Sequence, residues 1–280
     1  MEKIKILVAQ HKEAEVYKNE VYTPIHVGKA ISKIDLSIIG DNTGDNISHL
    51  NPFYCELTAQ YWAWKNITDI EYIGLCHYRR YFKTEFTASN IDHEMEGYDI
   101  ILPRRVILRH NLLNWYSIGN NPEDATIFHL YMSQLFKDDI ETYRNFYMRQ
   151  NWINPANMFV CKKTIFDKFC KWQFSILKDL RAIIPVSVYT RQHRLMGYFG
   201  ESLLPFYAYF NGLKIKEIPL TTMVNTGEEL LRQSTLGKIK LNLLFTKDEQ
   251  IYNLDEAIFV GLKQDGIIDK INAAFKTDKA

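Results

Sequence analysis

Residues 72–82 read Tyr72-Ile73-Gly74-Leu75-Cys76-His77-Tyr78-Arg79-Arg80-Tyr81-Phe82. A continuous apolar run to Cys76 stops abruptly in a histidine and two arginines. A run without polar alternation suits a strand buried on both faces, and such strands belong to parallel sheets covered by helices. Ile4–Ala9 is a second run of this kind, ended by Gln10-His11-Lys12. Ile34–Ile39 reads as another, closed by Gly40-Asp41-Asn42-Thr43-Gly44-Asp45, and Tyr98–Leu102, Met158–Cys161 and Lys214–Ile218 add three more. Between them lie helical patterns over Phe53–Asn66, Asp124–Arg149, Thr164–Leu180 and Gly197–Phe210, the last begun or interrupted near Pro205. Asn51-Pro52 reads as an N-cap followed by proline at the first helical position. Strands alternating with helices predict an α/β fold, a mostly parallel, doubly wound sheet with helices on both faces. That domain is expected over residues 1–224. Residues 225–280 form a small helical and polar appendage, with a terminal helix near Leu254–Phe275.

Composition narrows the function. At 280 residues the chain is long enough for a full core. Its net charge of +1 gives no electrostatic case for nucleic acid as partner, so any anion must be bound by a local cluster. The four cysteines, Cys55, Cys76, Cys161 and Cys170, show no C-x-x-C pair and no histidine at zinc spacing, which fits buried free thiols in a reducing compartment. No signal-peptide region opens the sequence and no run reaches the ~18 apolar residues of a membrane span, so a cytoplasmic, soluble protein is expected.

In open α/β sheets ligands bind beyond the carboxyl ends of the strands. That rule selects Gln10, His11 and Lys12, then Asp41 and Asn42, then His77, Tyr78, Arg79 and Arg80. Arginine stays charged and matches phosphate oxygens with a planar fork, so His77 and the two arginines suit a diphosphate. Neighbouring residues on extended chain point opposite ways, so one arginine of the pair should face the ligand. The plain alternative is an arginine pair matched to surface carboxylates. Asp41 and Asn42 suit a ribose or base edge, though the same residues make an ordinary turn. Asn154 and Asn157 offer amides to sugar hydroxyls. Glu201, flanked by Gly200 and Ser202 near a helix start, is able to accept a proton, or merely to complement the helix dipole. No phosphate-binding P-loop and no G-x-G-x-x-G follows the first strand, which removes the main support for kinase and dehydrogenase readings.

Two blocks carry a wider resemblance: Asn51-Pro52-Phe53-Tyr54-Cys55-Glu56-Leu57-Thr58-Ala59-Gln60-Tyr61-Trp62-Ala63-Trp64-Lys65-Asn66, and Gly74–Phe82. With Gln10–Lys12, Gly40–Asn42, Asn154–Phe159 and Gly197–Leu204, they make the chain resemble a bacterial glycosyltransferase family long filed as a domain of unknown function. Its members occur among capsule, exopolysaccharide and O-antigen (lipopolysaccharide) enzymes and include galactofuranosyltransferases. The resemblance spans residues 4–220 and implies a GT-A-like fold. It implies a UDP-sugar donor, galactofuranose among the candidates, and a lipid-linked saccharide acceptor at the inner membrane face. It raises Glu201 to catalytic base of an inverting transfer and assigns Arg194 and Tyr198, with Asn154 and Asn157, to sugar and acceptor. Most GT-A enzymes carry an Asp-x-Asp metal pair at a strand end. Here the comparable end reads Cys76-His77-Tyr78-Arg79-Arg80, so no cofactor is expected and fixed cations replace the metal. A Mn²⁺- or Mg²⁺-dependent, retaining enzyme stays open, with Asp41, Asp45 and Asp99 as carboxylates for it, as does a non-catalytic nucleotide- or saccharide-binding protein. Lys238-Ile239-Lys240 beside Leu241–Phe245 suits peripheral contact with a membrane surface.

Overall fold

The computed structural model describes residues 2–224, 229–247 and 255–276. In chain order the strands are β1 (Glu2–Gln10), β2 (Tyr22–His26), β3 (Ile39–Gly40), β4 (Ile70–His77), β5 (Tyr81–Phe82), β6 (Ile100–Pro103), β7 (Val106–Ile107), β8 (Trp152–Ile153), β9 (Phe159–Lys162), β10 (Ile215–Ile218), β11 (Leu220–Thr221) and β12 (Glu229–Leu230). The helices are α1 (Asn51–Tyr54), α2 (Leu57–Asn66), α3 (Ile91–Glu94), α4 (Leu112–Gly119), α5 (Pro122–Leu135), α6 (Ile140–Tyr147), α7 (Lys163–Ile183), α8 (Leu195–Phe210), α9 (Thr235–Lys247), α10 (Glu256–Gln264) and α11 (Ile267–Ala274).

Contacts divide the chain into two compact units, described separately. The first comprises Met1–Val106, Asn154–Phe174 and Arg194–Arg232. It holds a seven-stranded sheet of order β10-β6-β9-β4-β1-β2-β3. Strands β4, β1, β2 and β3 run parallel, as do β10 and β6, and β9 is antiparallel to both β4 and β6. The expected mostly parallel sheet is therefore present. Ile6, Val8, Ile73 and Cys76 are fully buried, the reason these strands show no polar alternation. The register sets Ala9 beside His77 and Gln10 beside His26, so β1, β2 and β4 end level and form one rim.

Several local expectations are corrected. The strand expected over Ile34–Ile39 reduces to Ile39–Gly40, and the second parallel strand is Tyr22–His26. Pro24 hid it. It is tolerated because β3 pairs only with Ile25 and His26, leaving most of β2 at the sheet edge. The single helix expected over Phe53–Asn66 breaks at Cys55, whose backbone takes φ 53°, ψ −131°. Asn51 is not the cap either: Leu50 holds that place, and Asn51 Nδ2 bridges the break by donating to Cys55 O (2.7 Å) and Thr58 Oγ1 (3.2 Å). The Asp124–Arg149 pattern is α5, a 3-10 turn over Lys137–Asp139, and α6. Helix α8 runs unbroken through Pro205, whose missing N–H leaves the Glu201 carbonyl without that intrahelical bond.

The second unit comprises Ile107–Ile153, Ser175–His193 and Gln233–Ala280 and is mainly helical. Within it Tyr131 Oη donates to Asp179 Oδ2 (2.7 Å), and its ring centroid lies 5.0 Å from that of Phe275. Gly266, at φ 70°, splits the expected terminal helix into α10 and α11. Leu254 and the boundary expected at 224/225 border or lie outside the described residues. No helix of the described residues is long and apolar enough to cross a membrane.

Candidate active site

At the end of β4 the chain reverses: His77 N donates to Arg80 O (3.1 Å) and Arg80 N to His77 O (3.0 Å). The tight turn corrects the alternation argument, because both Arg79 and Arg80, with His77 and Tyr78, line one cavity of about 490 Å³. Ala9 and His11 bring the end of β1 to it, and Val27 the residue after β2. Asn51, Pro52, Cys55 and Glu56 close a second side, and Arg194 and Glu201 a third.

Its charges are unusual. The Arg79 guanidinium lies 4.9 Å from the Tyr78 ring centroid and that of Arg194 lies 5.6 Å from the Tyr198 ring. Arg194 Nε donates to Cys55 Sγ at 3.2 Å. Burial pushes that thiol up to about 11, so it acts as a neutral acceptor. Among the described residues, none of Arg79, Arg80 and Arg194 forms an ion pair with a carboxylate. Glu201 lies inside α8, beyond its first turn, instead of at a helix start. Burial, then the negative charge of Glu56, raises its pKa to about 7, against the opposing pull of Arg80, the Ala156 N–H and Arg194. His77 Nε2 lies 2.7 Å from the Ala156 carbonyl oxygen, and burial lowers the His77 pKa, so the ring is neutral at neutral pH.

The remaining candidates are not in the cavity wall. Gln10 is buried and its Nε2 donates to Lys12 O (2.9 Å), while the Lys12 side chain is exposed. Asp41 is wholly buried and accepts from the backbone N–H of Gly28 (2.9 Å) and Lys29 (3.1 Å) and from Ser48 Oγ. With three donors on it and no exposure to solvent, it fixes the loop after β2. Asn42 is exposed beside it. Asn154 Nδ2 donates to Pro103 O (2.7 Å) and Glu217 Oε1 (3.1 Å), away from the cavity wall. Asn157 is buried behind the wall, donating to Glu56 Oε1 (2.6 Å) and Gly197 O (3.0 Å). Tyr198 reaches the site through Arg194.

Sequence reasoning missed Glu56, Cys55 and Asn51. All three lie in the block that carried the family resemblance, but an unbroken helix there would have turned Glu56 about 100° away from Cys55. The kink at Cys55 was invisible in residue types.

Three guanidinium groups share the cavity wall with the carboxylates of Glu56 and Glu201. Asp41, Asp45 and Asp99 line no part of the cavity, and no cluster of three His, Cys, Asp or Glu suited to a metal occurs among the described residues.

The chain is similar to the apo structure of WbbM, a bifunctional glycosyltransferase, with TM-score 0.71 and 30% identity. The match covers 79% of this chain and 45% of that one, so the chain spans under half of its length. No curated protein matches. A family model described as a domain of unknown function (DUF4422) matches residues 5–212, and the chain belongs to that family.

Proposed function

We propose that the chain is a glycosyltransferase that moves a hexose from a UDP-sugar to a saccharide acceptor by an inverting, metal-independent reaction in surface-polysaccharide synthesis. One observation carries this reading: three guanidinium groups that form no ion pair with a carboxylate among the described residues share a cavity with a carboxylate whose pKa stands near neutrality. Guanidinium groups clustered without an ion-pair partner call for an anion of high charge density, and a diphosphate supplies it. The likeness to a glycosyltransferase points the same way.

The acceptor hydroxyl attacks the anomeric carbon from the face opposite UDP. The anomeric C–O bond breaks and its electron pair passes to the β-phosphate oxygen, while Glu201 takes the hydroxyl proton. Charge grows on the leaving diphosphate, where Arg79, Arg80 and Arg194 compensate it without reorganising. A base with pKa about 7 is matched to this work at neutral pH.

UDP-hexoses, UDP-galactofuranose first, are the donors to test, in UDP-release and thermal-shift assays with and without chelator. UDP-selective stabilisation and sugar transfer that both survive chelation are expected. Unchanged transfer by Glu201→Gln would remove Glu201 as base, and UDP binding without turnover would reduce the cavity to a binding site.

A lipid-linked acceptor accords with α9. Leu236 (79% exposed), Ile239 (50%) and Leu243 (58%) recur at helical spacing, with Lys240 beside them. An apolar stripe flanked by a lysine suits an anionic lipid surface. Cosedimentation with anionic but not zwitterionic vesicles, lost in Leu236→Asp/Ile239→Asp, is the expected result.

A further inference from the structure

We propose that Glu56 is a positioning residue for the transfer, a fixed negative charge that keeps Glu201 a strong proton acceptor. The inference rests on Glu201 being the base.

Glu56 follows the left-handed Cys55, and its side chain is only 11% exposed although it borders the cavity. The geometry anchors one of its two oxygens. Oε1 accepts from Asn157 Nδ2 at 2.6 Å, and His77 Nε2 stands 3.8 Å away while bonded to Ala156 O. The Asn157 amide also donates to Gly197 O, so it ties the Glu56 turn to α8, the helix that carries Glu201. Ala156 and Asn157 are consecutive non-glycine residues at positive φ, 78° and 49°. Such backbone is retained only where its surroundings enforce it. Here it aims the Asn157 amide at Glu56 and the Ala156 N–H at Glu201.

Two carboxylates in one partly buried space do not ionise together at low cost. The Asn157 amide hydrogen-bonds one oxygen of Glu56, and Glu201 retains its proton until near neutrality. The groups facing Glu201 are Glu56 from the α1–α2 turn, Arg80 from the end of β4, Arg194 from the start of α8 and the Ala156 N–H, with Cys55 and His77 beside them. Glu56 is the anion among these that opposes ionisation of Glu201.

The test is Glu56→Gln, whose amide oxygen still accepts from Asn157. The ¹³C titration of the Glu201 carboxyl reads the coupling directly, whether or not a donor sugar has been found. Its midpoint is expected to fall by about one pH unit, and Glu56→Asp, which keeps the charge, to leave it near the wild-type value. Where transfer is measured, the acidic limb of kcat/KM moves down with that midpoint and the plateau falls. An unmoved Glu201 midpoint in folded Glu56→Gln overturns the proposal, as does loss of transfer with the limb unmoved. Glu56→Ala serves as the second neutral variant should Gln disturb folding. Loss of transfer in Glu201→Gln tests the base assignment separately, so failure of that reading is distinguishable from failure of this one.

Discussion

The Nε2 of His77 lies 2.7 Å from the carbonyl oxygen of Ala156, which places the ring proton on that nitrogen. With its pKa lowered by burial, His77 is a neutral strut between β4 and the turn before β9, and the positive charge of the cavity comes from arginine alone. His77→Ala should lower stability by about 1–3 kcal/mol through the carbonyl left without its donor. UDP affinity at neutral pH should be unchanged within scatter. Calorimetric UDP titration beside thermal melts checks both, and a selective loss of UDP binding would make His77 a phosphate ligand.

Glu201 links activity and stability with opposite signs. Its folded pKa is raised to about 7 from the ordinary 4.5, so the folded state holds the proton more tightly than the unfolded chain. The associated loss of stability sets in as pH rises through 4.5 and is complete above 7. By linkage it amounts to on the order of 1–3 kcal/mol. Glu201→Gln should therefore melt higher than wild type at pH 8 and match it below pH 4.5, while transfer falls roughly 10²–10⁴-fold. In the wild type kcat/KM should rise with pH through about 7. A Glu201→Gln protein no more stable at pH 8 than at pH 4, relative to wild type, would contradict the raised pKa.

The sheet was legible because burial on both faces leaves an uninterrupted apolar run, as in Ile73–Cys76. The rim followed from it, so His77, Arg79 and Arg80 were found together. What escaped depends on backbone geometry that residue types do not encode. Cys55 at positive φ breaks a helix that its neighbours' propensities favour, and only the break turns Glu56 inward. Asp41 shows the opposite error. Its place after a parallel strand suits a ribose, yet the backbone N–H groups of Gly28 and Lys29 claim it. A buried carboxylate that fixes a loop and one that awaits a ligand look alike in sequence.

Gly197 and Gly200 let α8 approach the Cys55–Leu57 turn closely. A Cβ at Gly200 would meet Leu57 Cδ1 at 2.7 Å and Asn157 Oδ1 at 3.0 Å. Gly200→Ala gains helix propensity but must displace the residue that holds Glu56. Overpacking should outweigh propensity, with a net loss of about 1–2 kcal/mol. Transfer should fall further than stability explains, because the Asn157–Glu56 bond is strained. A Gly200→Ala enzyme with unchanged melting and kcat would show that the approach is looser than the contacts require.

Arg79 and Arg80 are exposed, and neither forms an ion pair with a described carboxylate, so the fold does not depend on them. Their replacement should leave the melting temperature unchanged. If they hold a diphosphate, each contributes charge-assisted hydrogen bonds worth about 1.5–3 kcal/mol, and each alanine variant should weaken UDP binding roughly 10- to 100-fold. Lysine keeps the charge but not the planar fork, so Arg80→Lys should fall between wild type and Arg80→Ala. The double alanine variant should lose less than the product of the single losses, because side chains on one turn share a phosphate. Calorimetric titration of UDP and UMP separates the arms: UDP binding should fall in the variants while the weaker UMP binding changes little. Equal losses for the two nucleotides would move the arginines from the β-phosphate to the nucleoside end.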